Sequence, residues 1–297
     1  TAFRYKPNGF IFDVAGMSCF TDKSLLYYLG FCNTKIAYEV LKIIAPTINF
    51  QAGDIAKLPI LIDTKMISLV ESKVQDSISQ SKTDWDSFET SWDFKEHPLI
   101  KNRVSTIEKA YNLWNDECEE RFIALKSNEE ELNRIFIDIY GLQDELDPYV
   151  EDKDVTVRKA DLMQDVKSFI SYAVGCMFGR YSLDAEGLTY AGGEWDSGKY
   201  TSFIPDKDNI IPICDEEYFE DDIVSKFVQF VKVVYGSDTL EENLQFIANA
   251  LGGNGNGRDV LRNYFLNDFF KDHCNTYQVT GSGKRPIYWQ FDSGKNN

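Results

Sequence analysis

Four basic side chains near the beginning of the chain have the chemistry to contact a phosphate backbone: Arg4, Lys6, Lys23 and Lys57. Residues 1–62 hold six basic and four acidic side chains, a net charge of +2, while the whole chain of 297 residues carries −17. The other 235 residues therefore carry −19 and repel a polyanion. This distribution predicts that only residues 1–62 are electrostatically able to face a polyanion, with these four side chains as the candidate contacts.

Acidic side chains cluster in the C-terminal half, at Asp215-Glu216-Glu217 and Glu220-Asp221-Asp222. Carboxylates are suitable ligands for Mg²⁺ or Ca²⁺, but this cluster lacks the turn glycine and the ligand spacing of a calcium loop. The segment Asp206-Lys207-Asp208 has no second carboxylate group at the spacing of a nuclease site. A solvated face, or a docking surface for a basic partner, is the interpretation that the sequence favours.

Cysteine and histidine give no metal or nucleophile pattern. The six cysteines are widely spaced without a C-x-x-C pair, which favours a reduced, cytoplasmic environment. His97 and His273 stand alone, so a zinc site and a catalytic triad both lack their partners. No run of 18 apolar residues is present, which argues against a membrane-spanning helix. The prediction is that the chain contains no catalytic, cofactor-binding or metal-binding residue.

The elements that must position the basic side chains begin with a short strand predicted over Phe10–Val14, followed by the loop of Ala15–Phe20. An apolar stripe then predicts a helix over Ser24–Ile44, ended by Pro46. We therefore expect a small mixed α/β piece over residues 1–62. The chain also starts at Thr1, which we interpret as a fragment of something longer.

The most regular pattern of the chain predicts a long helix over Ile100–Leu125, packed along its whole length. Its apolar positions recur at steps of three and four residues, and the predicted helix Thr64–Lys82 is the natural antiparallel partner. Ser127–Glu130 has the form of a capping box that opens a further helix, with Gly141 as its left-handed stop. The predicted architecture is α+β but mainly helical: residues 1–62, an antiparallel helical spacer over 63–126, and a compact, acidic, mostly helical domain over 127–297.

Several segments in one order carry a resemblance to a known family. They are Phe10–Phe20, Leu25–Lys35, Thr47–Ile60, Glu131–Leu142, Ser168–Asp184, Tyr190–Trp195, Glu217–Val224, Leu240–Leu244, Arg262–Phe270 and Lys284–Gly294. Together they resemble the C-terminal region of the PglX family of adenine-specific DNA methyltransferases from bacteriophage-exclusion (BREX) defence. The resemblance implies that residues 1–62 complete a target-recognition domain and that Leu58-Pro59-Ile60 leads into a helical spacer.

The motifs of methyl transfer are absent from the sequence. Adenine methyltransferases use an Asn-Pro-Pro-Tyr type motif to hold the flipped base, and neither this motif nor Asp-Pro-Pro-Tyr occurs. The glycine-rich run of residues 252–257 follows the predicted helix Leu240–Leu251 rather than a strand, so a hinge is a better interpretation than a phosphate-binding loop. We expect no enzyme activity from this chain, with S-adenosylmethionine bound by an upstream domain of the parent protein.

Two hypotheses of different class follow. In the first, the chain is a non-catalytic DNA-specificity and spacer fragment of a site-specific N6-adenine methyltransferase in a restriction-modification-like defence system. Its partners would be double-stranded DNA, bound weakly by the isolated chain, and the upstream methyltransferase domain. In the second, the acidic half docks other BREX proteins or a regulator, and DNA contact is incidental. Salt-dependent DNA binding would favour the first hypothesis, and binding of a basic protein without DNA would favour the second.

Overall fold

The computed structural model describes residues 3–12, 16–45 and 50–277. These residues form eleven α-helices and two short 3₁₀ helices, and they contain no β-strand. No helix in this described part is long and apolar enough to cross a membrane. The chain divides into two compact units, the first from Thr1–Asp84 with Glu119–Arg158 and the second from Trp85–Cys118 with Lys159–Asn297, each in its described part.

The first unit is built from short helices and one long one. Its helices are α1 (Leu25–Cys32), α2 (Lys35–Ile44), α3 (Ala52–Ile55), most of α4 (Ile67–Asp86) and the second part of α6 (Ile107–Tyr140). Apolar side chains of these helices form one buried cluster. A smaller cluster joins Phe122 and Leu125 of α6 to three valines of the segment that follows it, Val150, Val155 and Val157.

The second unit has the larger core. It contains α5 (Pro98–Lys101), the beginning of α6, α7 (Leu162–Met177), α8 (Ile223–Tyr235), α9 (Leu240–Ala250), α10 (Gly257–Asn267) and α11 (Phe269–Thr276). Helix α7 is buried on nearly every side over its second half, which explains the almost continuous apolar run in that part of the sequence. Trp114 of α6 is 2% exposed in this core and donates a hydrogen bond to Asp165, 3.2 Å away.

The expected mixed α/β piece at the N-terminus is not supported. Phe10–Phe12 form no strand and are exposed, and Asp13 and Val14 lie outside the described residues. A strand needs a neighbouring strand to bind its backbone amides and carbonyls. Here the ammonium group of Lys6 donates to the carbonyl of Ile11 at 2.7 Å. The local pattern was strand-like, but the described residues offer it no partner strand.

The helix predicted over Ser24–Ile44 is two helices in the structure. Helix α1 ends at Cys32 and α2 begins at Lys35, because Thr34 acts as an N-cap. The Thr34 hydroxyl accepts from the amide of Ala37 and donates to the carbonyl of Phe31, at 3.4 and 2.7 Å. The apolar pattern continues on both sides of Thr34, so the pattern does not indicate that this residue begins a new helix.

The long helix predicted over Ile100–Leu125 extends over Ile107–Tyr140 in the structure, so it begins and ends later in the sequence than predicted. Ile100 belongs to α5, and α6 begins at Ile107 after Thr106, whose hydroxyl accepts from the Lys109 amide at 3.3 Å. Helix α6 then runs without interruption through residues 127–130, so the predicted capping box is wrong. The predicted stop is confirmed, because the helix ends at Tyr140 and Gly141 has φ +66°.

Helices α4 and α6 are antiparallel partners within the first unit, but further along α6 than predicted. Asn128 of α6 donates to Asp76 of α4 at 2.6 Å, and Arg121 of α6 lies 3.7 Å from Asp84 of α4. As residue numbers fall along α4 they rise along α6, which is the antiparallel arrangement. The functional boundaries at residues 62 and 126 stay a prediction, since a packing unit and a functional segment need not coincide.

A buried ion cluster in the first unit joins its two stretches of chain. Asp84 is 6% exposed and meets two guanidinium groups, Arg121 at 3.7 Å and Arg158 at 3.3 Å. Arg158 also donates its backbone amide to the same carboxylate at 3.2 Å. Burial of the Asp84 and Arg121 charges is tolerated because they face each other, and Asp84 also accepts hydrogen bonds from the half-exposed Arg158.

We expect Asp84→Ala to lower the free energy of unfolding by about 3 kcal/mol, because it removes the shared carboxylate from two arginines, one of them buried. Urea denaturation followed by circular dichroism measures this loss. Glu151→Ala is the matched control, since its ion pair with Lys153 is exposed to solvent and should contribute nothing measurable. Equal losses in the two variants would contradict a structural role for the buried cluster.

Candidate DNA-facing surface

Helix α1 lies next to two of the candidate DNA-facing residues, because Lys23 precedes it and the residue before Arg4 is bonded to its C-cap. Ser24 caps α1 by accepting from the Tyr27 amide at 3.1 Å, and its hydroxyl donates to Glu71 of α4. Aromatic rings then fix α1 against α6: Phe136 lies edge-on to Tyr27 and Phe31, with ring centroids 5.2 and 5.4 Å apart. Such aromatic pairs add roughly 1 kcal/mol each beyond their buried area.

Two tyrosine hydroxyls hold the segment that contains Leu58-Pro59-Ile60. Tyr140, the last residue of α6, donates to the carbonyl of Pro59 and accepts from the amide of Leu61 at 2.9 Å. Tyr27 of α1 donates to the carbonyl of Leu61 at 3.0 Å and accepts from the amide of Asp63 at 3.2 Å. The two tyrosines thereby replace the backbone partners that a strand would have supplied.

The beginning of the described chain is tied to the end of α1. The amide of Phe3 donates to the Asn33 side chain at 3.0 Å, and that side chain donates back to the Phe3 carbonyl at 3.2 Å. Asn33 also forms the C-cap of α1. This reciprocal pair fixes the backbone immediately before Arg4.

Arg4 is exposed and has a carboxyl group as its electrostatic neighbour. Burial raises the pKa of Glu129, on α6, to about 7, while the charge of Arg4 lowers it and that of Asp154 raises it. Glu129 is therefore partly protonated near neutral pH, and the positive charge of Arg4 is incompletely compensated there.

The other three predicted side chains have separate local settings. Lys6 is exposed, donates to the Ile11 carbonyl and lies over the Phe12 ring, 4.9 Å from its centroid. Lys57 lies 3.6 Å from Asp54 with 65% of its side chain exposed, and Lys23 is exposed beside the N-terminus of α1. No contact joins the four side chains to one another in the described chain, so their common role in DNA binding stays a prediction.

Sequence reasoning missed the exposed apolar side chains beside Lys6. Phe10, Ile11 and Phe12 are 64, 97 and 52% exposed, and Phe20 is 76% exposed. If the expected strand had formed, one of its faces would have been buried, and some of these side chains with it. The signal in the sequence was the consecutive run at residues 10–12, which does not alternate as a half-buried strand does.

The glycine-rich candidate of the second unit has a structural explanation. Residues 252–256 connect α9 to α10, and the Asn256 side chain caps α10 by accepting from the Arg258 amide at 2.9 Å. A Cβ atom at Gly253 would lie 2.2 Å from Val260, so this close approach requires glycine. In the described ranges, no group of three or more His, Cys, Asp or Glu side chains has the arrangement of a metal site.

The two histidines are parts of the packing. His97 is 3% exposed; its Nδ1 accepts from the Leu99 amide at 3.2 Å, and its Nε2 lies 2.8 Å from the Ser168 hydroxyl. Burial lowers the pKa of His97 to about 3, so it stays neutral at ordinary pH. Nδ1 of His273 lies 2.9 Å from the Ser171 hydroxyl, itself buried, and the imidazole stacks on Phe269. Both imidazoles therefore have structural partners in the core of the second unit.

Comparison with known proteins shows which proteins contain a region similar to this chain. No protein-family model matches it. The chain is 48% identical over 306 residues to the adenine-specific methyltransferase PglX of Lacticaseibacillus casei (strain Zhang), an alignment that covers 99% of the chain and 25% of that protein. It is 34% identical over 329 residues to the adenine-specific methyltransferase BrxX of Escherichia coli O9:H4 (strain HS), covering 99% of the chain and 26% of that protein. The predicted resemblance is confirmed: the matched region is the C-terminal quarter.

The half-buried carboxyl group of Glu129 should make the stability of the chain depend on pH. Its folded-state pKa near 7 lies above the ordinary 4.5, so the folded chain binds more protons between these values and loses stability as pH rises through them. We expect Glu129→Gln to exceed the unmodified chain in free energy of unfolding by roughly 2 kcal/mol at pH 8 and to match it near pH 4.5; this is less than the full pKa difference would give, because solvent screens part of the effect at a half-buried side chain. Urea denaturation across this range measures the difference.

The control is Glu120→Gln, which makes the same chemical change at an exposed position of the same helix. It should show no such pH dependence. A constant difference between Glu129→Gln and the unmodified chain at every pH would indicate a packing effect and contradict the prediction.

Proposed function

We propose that this chain, similar throughout to the C-terminal quarter of two adenine-specific methyltransferases, is a non-catalytic DNA-specificity and spacer segment of such an enzyme in phage defence. The observation that carries the proposal is the alignment of 99% of the chain with both proteins in one continuous region. The chain spans about a quarter of the length of the curated relatives that it matches. The activity, DNA substrate and partners of the whole protein are therefore part of the proposal.

The charge distribution supports DNA contact by the N-terminal residues. Residues 1–62 carry +2 against −19 in the rest of the chain, so phosphate is attracted only to the former. Arg4, Lys6, Lys23 and Lys57 are exposed and come from this region. They would position the segment on the DNA backbone, whereas base contacts would decide its sequence specificity.

The packing supports a spacer role. The Tyr27 and Tyr140 hydroxyls fix the Leu58–Asp63 backbone, and the chain then continues into α4 and its antiparallel partner α6. A recognition segment on helices benefits from such rigidity, because fewer side chains must be ordered when DNA binds. The proposed partners are double-stranded DNA and a methyltransferase domain upstream.

The proposed division of labour also concerns the cofactor. We propose that S-adenosylmethionine binds upstream, because this sequence has no adenine-gripping motif and its glycine-rich run connects two helices. Isothermal titration calorimetry of the chain with S-adenosylmethionine should give no binding heat. The full-length L. casei PglX is the positive control. Micromolar binding to the chain alone would contradict this part of the proposal.

Duplex DNA binding measured against salt tests the main proposal. We expect weak binding, with a slope of log affinity on log salt that falls by about 0.9 for each phosphate-binding side chain that is removed. The fourfold variant Arg4→Ala/Lys6→Ala/Lys23→Ala/Lys57→Ala should therefore show a markedly smaller slope. The fourfold variant Lys199→Ala/Lys207→Ala/Lys232→Ala/Lys271→Ala removes the same charge from exposed positions of the second unit and should keep the slope.

The two variants separate specific phosphate contacts from overall charge. Equal reductions in slope would indicate that only net charge matters. An unchanged slope in the N-terminal variant would assign DNA contact to other residues and favour a docking role for the chain. Fluorescence anisotropy with a labelled duplex is suitable, since weak binding can be measured at low salt.

A further inference from the structure

A long connection without regular structure precedes α8 in the second unit. Residues 204–222, named here the acidic loop, contain no helix or strand. Loops of more than about 12–15 residues without secondary structure are uncommon in compact domains, and they are usually functional or disordered. The hydrogen bonds of this loop decide between the two.

Both ends of the acidic loop are fixed to the helical core. Near its start, Asp206 pairs with Lys226 of α8 at 3.1 Å. At its end, the guanidinium group of Arg262 on α10 donates to both oxygens of Asp222 at 2.9 and 2.8 Å, and to the carbonyl of Cys214 at 2.8 Å. Asp222 is completely buried. The loop is therefore ordered by its anchors, and a functional explanation is favoured.

Between its anchors the acidic loop exposes large apolar side chains. Ile210 is 68% exposed, Tyr218 62% and Phe219 52%. Ile204 and Ile213 of the same loop are 61 and 46% exposed. Single exposed apolar residues are ordinary, but the two adjacent aromatic side chains Tyr218 and Phe219, exposed among carboxylates, combine apolar area with a polar rim as protein-binding surfaces do.

Charge identifies the chemistry that this surface fits. Residues 204–221 contain seven carboxylates and one lysine, and residues 215–220 are all exposed. The carboxylates of Asp215 and Glu216 raise the pKa of the exposed Tyr218 hydroxyl, so a negative field surrounds that ring. Such a field repels nucleic acid and attracts lysine and arginine.

We propose that the acidic loop is a docking surface for a protein segment that carries lysine or arginine together with apolar side chains. Tyr218, Phe219 and Ile210 provide the apolar contact, while Asp215, Glu216 and Glu217 attract the basic groups. Because the loop is already anchored, little ordering entropy is lost on binding. This role concerns the second unit and is independent of DNA contact by residues 1–62.

A synthetic peptide can represent the proposed partner. The probe is an 18-residue amphipathic peptide (about five helical turns) of lysine and leucine, and the comparison peptide replaces every leucine with serine at the same charge. Binding kinetics of both are measured against the full chain at several salt concentrations. One variant, Tyr218→Ala/Phe219→Ala, removes the apolar contact. Another, Asp215→Asn/Glu216→Gln/Glu217→Gln, removes three charges.

The matched control neutralises three exposed carboxylates elsewhere, as Asp116→Asn/Asp144→Asn/Glu145→Gln. All substituted side chains are exposed, so the variants should fold, as circular dichroism can verify. The unmodified chain should bind the lysine–leucine peptide at least about tenfold more tightly than the lysine–serine peptide. The aromatic variant should lose this preference through faster dissociation, and the charge variant should associate more slowly with a weaker salt dependence.

Two results would overturn the proposal. Equal binding of both peptides, with equal losses in the charge variant and its control, would reduce the acidic loop to a solvated acidic surface. Sedimentation showing self-association that Tyr218→Ala/Phe219→Ala abolishes would make a second copy of this chain the occupant. Neither result affects DNA binding by Arg4, Lys6, Lys23 and Lys57, so the two proposals can fail separately.

Discussion

A buried carboxylate, Asp84, holds together the two stretches of chain that form the first unit. Arg121 and Arg158 belong to the second stretch of chain in the same unit, near its beginning and at its end. Both guanidinium groups meet Asp84, so one acidic side chain joins the end of the first stretch of this unit to the beginning and the end of its second stretch. A buried charge without its partners is strongly unfavourable, and these three segments are therefore held together.

Two tyrosine hydroxyls provide hydrogen-bond partners for the backbone of residues 58–63. Residues 58–63 are neither helix nor strand, so their amides and carbonyls need other partners. Tyr27 and Tyr140 come from helices far apart in sequence, and each both donates to and accepts from this segment. The rings of both also pack on the aromatic cluster around Phe31 and Phe136. One pair of side chains thus fixes the connection and contributes to the core.

The uneven distribution of charge assigns the two proposed roles, DNA contact and protein docking, to different parts of the chain. A surplus of positive charge over residues 1–62 suits phosphate, while the acidic loop suits a basic protein segment. Aromatic side chains are exposed in both places, at Phe10 and Phe12 beside Lys6 and at Tyr218 and Phe219 among carboxylates. Similar apolar groups are therefore surrounded by positive charge in one place and by negative charge in the other. The sign of the surrounding charge decides whether phosphate or a basic protein segment is attracted.

The sequence alone determined the helical character, the stop at Gly141, the charge asymmetry and the resemblance to adenine-specific methyltransferases. These features depend on local periodicity, on glycine's access to positive φ and on residue identity. Only the tertiary structure decided that Phe10–Phe12 form no strand, that Thr34 divides one apolar stripe into two helices, and that α6 continues through residues 127–130. In each case the interaction that decides the structure involves residues distant in sequence, or its local signal was weaker than the surrounding apolar pattern. Strand formation requires a partner strand, and a cap motif within a helix yields when side chains on both sides are buried, as Leu125 and Leu132 are.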